Sequence, residues 1–352
     1  MASIKRYKNA AGKTLWRVQY RDPQGKSRTK QPFQTKTAAE AWAATNTTAL
    51  TQGTWINPER QRTTIKHLWD TWWPSQRHLA ASSSRAIETS WATHVQPAWQ
   101  HAEVGSVTTE TAQRWVDKLA AQRSPSTVQR AHGILKTLLE EAVRYGYITA
   151  NPCASTRVPA RQRRAVVTLT KQQVEDLAAT SRRFPELLLF LGYTGARWGE
   201  AAALTVGDLD LARGRARITK SATTIGGKAQ IGTTKTRASR TIAIPKRVAE
   251  ALAPVVASKR PDALVWSNQD GGPLTTPSRR SWFHTAVDRC MAADPTFPPI
   301  TPHDLRHAAA SIMIADGHSV LLVQRQLGHA SAKMTLDTYA HLFDRELDAL
   351  SG

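Results

Sequence analysis

Alternation of apolar and polar residues predicts three short strands near the start of the chain. The stretches SIKRYKN, TLWRVQYRD and KSRTKQPF, between Ser3 and Phe33, are separated by turn residues at Ala11-Gly12 and Pro23-Gln24-Gly25. A helical pattern follows from Thr37 to Leu50, and Glu40 lies three residues after Thr37, the spacing of a capping box. We therefore expect a small three-stranded sheet followed by one helix.

The next hundred residues have only helical periodicity. The predicted helices begin near Ile65 and then cover residues 82–95, 109–122 and 126–145; Pro97, Gly105, Ser124-Pro125 and Gly146 separate them. Five tryptophans recur at helical spacing and are expected to form the core of this segment, without a cofactor: Trp69, Trp72, Trp91, Trp99 and Trp115.

The last third of the chain contains both the helical and the strand periodicity of apolar residues. A helix is predicted from Thr170, and the apolar run LLLFLGYTGAR follows at residues 187–197. Residues 201–245 alternate in period two, with Gly226-Gly227 as a turn, and predict a small sheet. Helices are expected at residues 279–288 and at 319–327, the latter ending at Gly328.

These patterns predict a multidomain α+β protein. Its parts are a domain at residues 1–60, with a small three-stranded β-sheet and a helix, an all-helical domain at 61–156, and a mixed, mainly helical domain with a small antiparallel sheet at 165–352. The segment 52–64 is interpreted as the first linker, and the basic stretch 157–164 as the second.

The net charge of the chain indicates the class of its binding partner. The chain has 352 residues with 48 Lys and Arg against 27 Asp and Glu, a net charge of +21, which favours a polyanion such as nucleic acid over an ordinary solvated surface. Two isolated cysteines, Cys153 and Cys290, exclude a cysteine zinc site or a disulfide framework and fit a reducing cytosol. No apolar run approaches the length of a membrane span, so we expect no membrane partner.

Two segments are candidate DNA contacts. Residues 1–60 hold 11 Lys and Arg and 3 Asp and Glu, so their net charge is 11 − 3 = +8. The predicted sheet could lie in a major groove, with the following side chains on its polar face: Arg17, Gln19, Arg21, Arg28 and Lys30. In the helix that begins at residue 126, Thr127, Arg130 and Lys136 could contact phosphates. In both cases the alternative is a charged surface that only interacts with solvent.

Residues 301–342 carry the candidate chemistry. His303 and Arg306 are three apart and share one helix face, His329 follows Gly328, and Tyr339 lies ten residues beyond His329. An arginine can hold phosphate oxygens, imidazoles can donate or accept protons, and a phenol can attack phosphorus. The group therefore indicates phosphoryl transfer to a tyrosine.

Five motifs in this order resemble the tyrosine recombinases of the bacteriophage integrase kind. They are TGARWGE around Arg197, TKTRASR around Lys235, HDLRH at residues 303–307, LGH ending at His329, and TLDTYAHL around Tyr339. The chain departs from the commonest family pattern at Trp198 and Gly199, where a small aliphatic residue and serine are more usual. The basic sheet and the helical segment also resemble the layout of the arm-binding integrases.

The resemblance implies a role for each of these residues. Tyr339 would be the nucleophile that forms a 3′-phosphotyrosine, and Arg197 and Arg306 would bind the non-bridging oxygens of the phosphate. Lys235 would be the general acid, although Lys220 and Lys228 lie in the same region. His303 would be the acid–base histidine, His329 would hydrogen-bond the phosphate, and Glu200 would orient the site from behind. No metal, other cofactor or ATP is expected. His307 and His341 are interpreted as supporting or incidental.

By the same resemblance, the protein is expected to recombine DNA. It would act as a homotetramer on arm-type and core-type sites through a Holliday junction, integrating and excising mobile DNA in the cytosol of a bacterial host, at the nucleoid. A host DNA-bending protein and a directionality factor are possible partners by family analogy. Two other classes stay open: a catalytically silent DNA-binding or architectural protein, and a type IB topoisomerase. The apolar residues after Tyr339 could pack against a neighbouring subunit or against their own domain.

Overall fold

The computed structural model describes residues 2–161, 166–233 and 239–343. The chain forms two compact units, Met1–Gln162 and Arg163–Gly352. The first unit contains both segments that the sequence predicts as separate domains, so a boundary at residue 60 stays a prediction. No helix in the described ranges is long and apolar enough to cross a membrane.

The first unit begins with the expected three-stranded sheet and its helix. The strands are β1 (Ser3–Lys8), β2 (Thr14–Arg21) and β3 (Ser27–Phe33), paired antiparallel in the order β1-β2-β3, and the helix is α1 (Lys36–Thr51). Val18 packs against Ala39 and Ala43 of α1. The helix is capped by Thr35, whose hydroxyl oxygen accepts a hydrogen bond from the Ala38 N–H. The capping box at Thr37 and Glu40 is therefore wrong, because the helix begins before Thr37.

The strand pairing also corrects the expectation of a single basic face. Arg28 lies opposite Tyr20, and Lys30 opposite Val18. Since directly paired residues point to the same side of a sheet, these two cations lie on the side that α1 covers. Arg28 is also bound by Asp22, at 2.7 Å. The open side keeps the other three candidates: Arg17, Gln19 and Arg21.

Helices make up the rest of the first unit. They are α2 (Pro58–Gln61), α3 (Ile65–Trp72), α4 (Ala81–Ser90), α5 (Gln96–Trp99), α6 (Thr109–Ala120) and α7 (Pro125–Arg144), with a π-helical turn at Trp91–Val95. Trp69, Trp91 and Trp99 are buried, and Trp72 and Trp115 pack against the same core, so the prediction of an aromatic core is confirmed. The indole of Trp69 stacks on that of Trp91 with ring centroids 4.4 Å apart.

The second unit combines eight helices with two small sheets in its described part. The helices are α8 (Lys171–Thr180), α9 (Pro185–Thr194), α10 (Trp198–Ala202), α11 (Lys246–Val256), α12 (Trp282–Ala293), α13 (Asp304–Ala315), α14 (Val320–Leu327) and α15 (Ala332–Phe343). The strands are β4 (Leu209–Asp210), β5 (Arg215–Ile218), β6 (Lys220–Ile225), β7 (Lys228–Thr233) and β8 (Arg240–Ala243). β4, β5 and β8 form one antiparallel sheet, while β6 and β7 form a hairpin that turns at Gly226-Gly227.

Helix α9 lies at the centre of this unit. All five residues from Leu187 to Leu191 are buried, which is typical of a helix surrounded by other elements. It packs against α8, α11 and α13. At its carboxyl end Gly195 adopts a left-handed conformation, with φ of +69°, and turns the chain directly into Arg197.

Replacing Gly195 with alanine should destabilise the protein by more than the cost of the left-handed backbone conformation alone. The left-handed conformation costs an alanine about 1–2 kcal/mol. A new Cβ would also overlap the Leu327 side chain and lie 3.3 Å from the Ala309 Cβ, and such overpacking costs about 1–3 kcal/mol. Urea unfolding of the full chain measures the difference. Gly317→Ala is the matched control, because Gly317 has φ of +78° and nothing within 4 Å of its Cβ position. Equal losses in the two variants would contradict this packing.

Candidate active site

The amino-terminal half of α13 presents one row of side chains. His303 is the residue that precedes the helix, and Arg306, His307 and Ala310 follow at intervals of three or four residues. Arg306 is only 3% exposed. Its Nη1 donates a hydrogen bond to the Gly195 carbonyl at 2.7 Å. Its Nη2 is buried and has no hydrogen-bond partner among the described residues.

A buried carboxylate joins two further arginines. Glu200, also 3% exposed, accepts a hydrogen bond from Arg197 Nη1 at 2.8 Å and from the Arg197 backbone N–H at 2.9 Å. Arg240 donates to both carboxylate oxygens, at 2.9 and 2.7 Å. Burial alone would raise the pKa of Glu200, but the hydrogen bonds and charge of Arg240, with a smaller effect of Arg197, lower it to about 2. Glu200 therefore stays ionised and fixes both guanidiniums.

Arg240 is the last residue of the motif TKTRASR, and no role for it was expected from the sequence. Its guanidinium lies directly beneath Gly328, where a Cβ would come within 2.7–2.9 Å of its atoms. Arg240 thus connects Glu200 with the turn that leads into His329. The signal in the sequence was weak, since nothing in the spacing of residues 200, 240 and 328 indicates that they meet.

His329 is held at the start of the last turn before α15. Its Nδ1 lies 2.8 Å from the hydroxyl oxygen of Thr335, a fully buried residue of α15. Burial, together with the nearby Arg306 and Arg197 cations, lowers the pKa of His329 to about 4. The imidazole is consequently neutral at physiological pH.

Tyr339 is buried against the same row of α13. It is 1% exposed and packs in a cluster with Ala310, Ile314, Val323 and Leu327. Its hydroxyl lies 2.7 Å from Nδ1 of His307, a residue whose place in the sequence indicated a supporting or incidental role. Burial raises the pKa of Tyr339 to about 12, although the Arg306 cation acts in the opposite direction.

The remaining candidates fall in three groups. His303 is exposed at the amino end of α13, yet partial loss of hydration and the Arg306 charge lower the pKa of its imidazole. Lys235 lies outside the described residues, so its place in the site stays a prediction. The candidate DNA contacts at residues 17–30 and 127–136 form a separate group in the first unit.

No cluster of three or more His, Cys, Asp or Glu side chains with metal-binding geometry occurs in the described ranges. The described residues offer a buried guanidinium with a free donor, two further guanidiniums, three imidazoles and a phenol. These groups can bind an oxyanion and exchange protons around it.

Comparison with known proteins decides the family. Residues 167–346, just over half of the chain, match the sequence profile described as "Phage integrase family". The chain belongs to this family. It is a tyrosine-type site-specific recombinase, as the sequence motifs indicated.

Relatives with a curated description agree with this assignment to the phage integrase family. The integrase of Mycobacterium phage D29 is 24% identical over 315 residues, which are 85% of this chain and 82% of the relative. The tyrosine recombinase XerC of Mycobacterium sp. (strain KMS) is 27% identical over 270 residues, or 71% of this chain and 83% of the relative.

Solved structures share the fold of this phage integrase family member. The Tn1549 transposon integrase in complex with a circular intermediate DNA superposes with a TM-score of 0.70 at 21% identity, covering 79% of this chain and 95% of that one. A lambda integrase dimer bound to a COC′ core site gives 0.60 at 19% identity, with 96% and 94% covered. The expected fold, a small three-stranded sheet, helices and a mainly helical part with small antiparallel sheets, is confirmed.

Replacing Arg240 with methionine should destabilise the recombinase by about 3–5 kcal/mol, because it removes the bidentate partner of a buried carboxylate. Urea unfolding of the full chain gives the loss. In the double variant with Glu200→Gln the loss should be smaller than the sum of the two single losses, since residues in one hydrogen-bond network couple. Strictly additive losses would show that Arg240 and Glu200 do not depend on each other.

Proposed function

We propose that Tyr339 is the nucleophile of DNA strand cleavage. Its oxygen attacks the scissile phosphate, forms a 3′-phosphotyrosine and releases a 5′-hydroxyl. Arg306 supports this proposal most directly, because its Nη2 is a buried cationic donor without a partner in the described part of the chain. A buried polar group without a hydrogen bond costs free energy, and a phosphate oxygen would supply the missing acceptor.

Arg197 and Arg306 bind the two non-bridging oxygens in this proposal. Negative charge grows on these oxygens in the transition state, where prearranged donors have their largest effect. Arg197 is 38% exposed at its side chain and oriented by Glu200, so it is both accessible and fixed. Glu200 and Arg240 are positioning residues for Arg197.

The histidines and Lys235 complete the proton transfers. Lys235, assigned from its motif, protonates the departing 5′-oxygen, and His303 is the acid–base histidine. His329 hydrogen-bonds the phosphate. When the Thr335 hydroxyl donates to His329 Nδ1, Nε2 carries the proton of the neutral imidazole and is the donor.

The cleavage is proposed to need neither a metal ion nor ATP. Two guanidiniums and a lysine supply the positive charge that metal ions provide in many phosphoryl-transfer enzymes. The phosphotyrosine conserves the energy of the broken bond, so that a new 5′-hydroxyl can be joined without a nucleotide.

The partner we propose is double-stranded DNA, with four copies of the chain acting on two duplexes through a Holliday junction. A relative supports this assembly: a lambda integrase tetramer bound to a Holliday junction has the same fold, at a TM-score of 0.57. A host DNA-bending protein and a directionality factor complete the proposal, and the reaction takes place at the nucleoid in the bacterial cytosol.

The amino-terminal sheet is proposed to bind arm-type sites through its open side. Arg17, Gln19 and Arg21 are the candidates that remain there. Lys30 is exposed at the α1 side, and Arg28 is held by Asp22, so any contact of these two cations with DNA would need another orientation.

Helix α7 is proposed to contact the core site. Thr127 and Arg130 lie on one side of the helix, whereas Lys136, nine residues after Thr127, lies about half a turn away. Thr127 and Arg130 are therefore the stronger pair, and Lys136 would contact a different part of the backbone.

A trapped adduct tests the nucleophile. The probe is a nicked duplex carrying the core site, obtained by binding selection from random-sequence DNA, so that the fragment beyond the cut diffuses away. With EDTA present, the wild type should form a denaturant-resistant protein–DNA adduct and Tyr339→Phe should form none. An adduct in Tyr339→Phe, or binding without an adduct in the wild type, would contradict the proposal; an adduct that requires a divalent cation would contradict its metal-free part. Relaxation of a supercoiled plasmid without the core site would favour a topoisomerase instead.

Replacing Arg306 with glutamine should slow adduct formation by about 10²–10³-fold, because one prearranged donor is lost in the transition state. Single-turnover rates on the nicked duplex measure this. Arg213→Gln, at an arginine that is 85% exposed in the turn between β4 and β5, is the control and should react at the wild-type rate. A rate within threefold of wild type for Arg306→Gln would contradict its role.

A further inference from the structure

The row of side chains on α13 aligns a histidine with the tyrosine hydroxyl. The Tyr339 ring packs against Ala310 and Ile314, so its hydroxyl points along α13 towards the amino end of the helix. His307, one turn before Ala310, meets that hydroxyl at 2.7 Å through Nδ1, and the two rings form an edge contact with centroids 5.6 Å apart. His307 is the side chain that hydrogen-bonds this oxygen among the residues described.

The surroundings of His307 keep its imidazole neutral. Burial lowers its pKa most, His303 and Arg306 lower it further, and Asp304 acts in the opposite direction. From the other elements, Tyr339 of α15 and His329 face the same space. A neutral imidazole has one acceptor nitrogen; when the proton is on Nε2, Nδ1 is free to accept the phenol proton.

The phenol needs such an acceptor. Its pKa of about 12 means that hardly any phenolate exists at neutral pH, so attack on phosphorus requires that the proton leaves during the reaction. His303 does not meet this need in the structure, because its ring contacts the His307 ring, at 5.1 Å between centroids, and lies one turn further from the hydroxyl along α13.

We propose that His307 is a catalytic residue, the general base that takes the proton of the Tyr339 hydroxyl during strand cleavage; this inference rests on the proposed function. As the bond from the tyrosine oxygen to phosphorus forms, the O–H electron pair becomes the nucleophile and the proton moves to Nδ1 of His307. The bond from phosphorus to the 5′-oxygen breaks, and that oxygen takes a proton from the general acid, assigned to Lys235. In religation His307 returns its proton to the tyrosine oxygen.

The pH dependence of single-turnover cleavage tests this assignment. His307→Asn keeps an amide near the position of Nδ1 and can still accept a hydrogen bond, but it cannot take up a proton. At pH 7 it should cleave about 10²–10³-fold more slowly than the wild type, the usual contribution of a general base. The wild-type rate should already be independent of pH at neutrality, because the lowered pKa of His307 leaves its imidazole in the base form there. The rate of His307→Asn should instead rise about tenfold with each pH unit up to pH 9, because attack then waits for ionisation of the phenol.

A substrate whose leaving group needs no protonation distinguishes a general base from a general acid. A nicked duplex whose scissile 5′-oxygen is replaced by sulfur releases a thiol, which has a pKa of about 8.5 and leaves without protonation. The sulfur should restore the rate of Lys235→Ala and leave the defect of His307→Asn unchanged. Rescue of His307→Asn by sulfur would identify His307 as an acid and overturn the proposal.

Matched variants control for structure. His318→Asn changes an exposed histidine after α13 and should behave as the wild type. His303→Asn should cleave more slowly than the wild type, because His303 belongs to the proposed catalytic group, but its rate should still become independent of pH at neutrality. A tenfold rise per pH unit in this variant alone would assign the base to His303 and overturn the proposal. If His307→Asn unfolds, His307→Gln replaces it, judged by the same pH profile.

A failure of this inference can be distinguished from a failure of the proposed function. A wild-type adduct together with an unaltered pH profile in His307→Asn would overturn this inference alone. The absence of any adduct in the wild type would overturn the proposed function, and this inference with it.

Discussion

Three guanidinium groups lie around one buried carboxylate in the second unit, and this excess of positive charge acts together with burial on the groups beside it. Glu200 binds Arg197 and Arg240 directly, while Arg306 makes its hydrogen bond to a backbone carbonyl instead. Burial and the neighbouring Arg197 lower the pKa of Arg306 to about 10. The same excess of positive charge contributes to the low pKa of His329. A phosphate would supply the anion that this group of cations lacks.

Glycines allow the backbone to pack closely around these arginines. Gly195 lets α9 end against Leu327 and presents its carbonyl to Arg306, and Gly328 leaves room for the Arg240 guanidinium. Gly199, where serine is more usual in the family, lies against the Ala222 carbonyl of β6, and a Cβ there would overlap that oxygen. The glycine at this position therefore allows β6 to pack directly against α10, the helix that begins after Arg197.

Local patterns along the chain were sufficient to predict most elements of the fold. The three amino-terminal strands, the hairpin at Gly226-Gly227 and the stop of α14 at Gly328 follow from turn residues and periodicity, which act over a few neighbours. The position of Arg28 and Lys30 on the sheet could not be predicted in this way. Their face depends on the register that the turn between β2 and β3 sets, in which Tyr20 pairs with Arg28 and Val18 with Lys30, and an offset of one residue would move both side chains to the other face.

Roles could be predicted from the sequence only for those site residues that match a family motif. Arg197, Arg306, His329 and Tyr339 stand in motifs, and the structure brings their surroundings together. Arg240 and His307 also lie within the motifs TKTRASR and HDLRH, but their importance comes from tertiary contacts, to Glu200 across 40 residues and to Tyr339 across 32, which local spacing does not reveal. The assignment of Lys235 as the general acid depends on its motif alone.

The response of His329 to DNA tests most directly whether a phosphate completes this group of cations. Tyr339→Phe, which should bind the core site without cleaving it, allows NMR titration of the labelled imidazole with and without the duplex. The account predicts that the pKa of His329, about 4 in the free protein, rises when the duplex binds, because the phosphate charge offsets Arg197 and Arg306. A pKa that stays the same or falls on binding would contradict it.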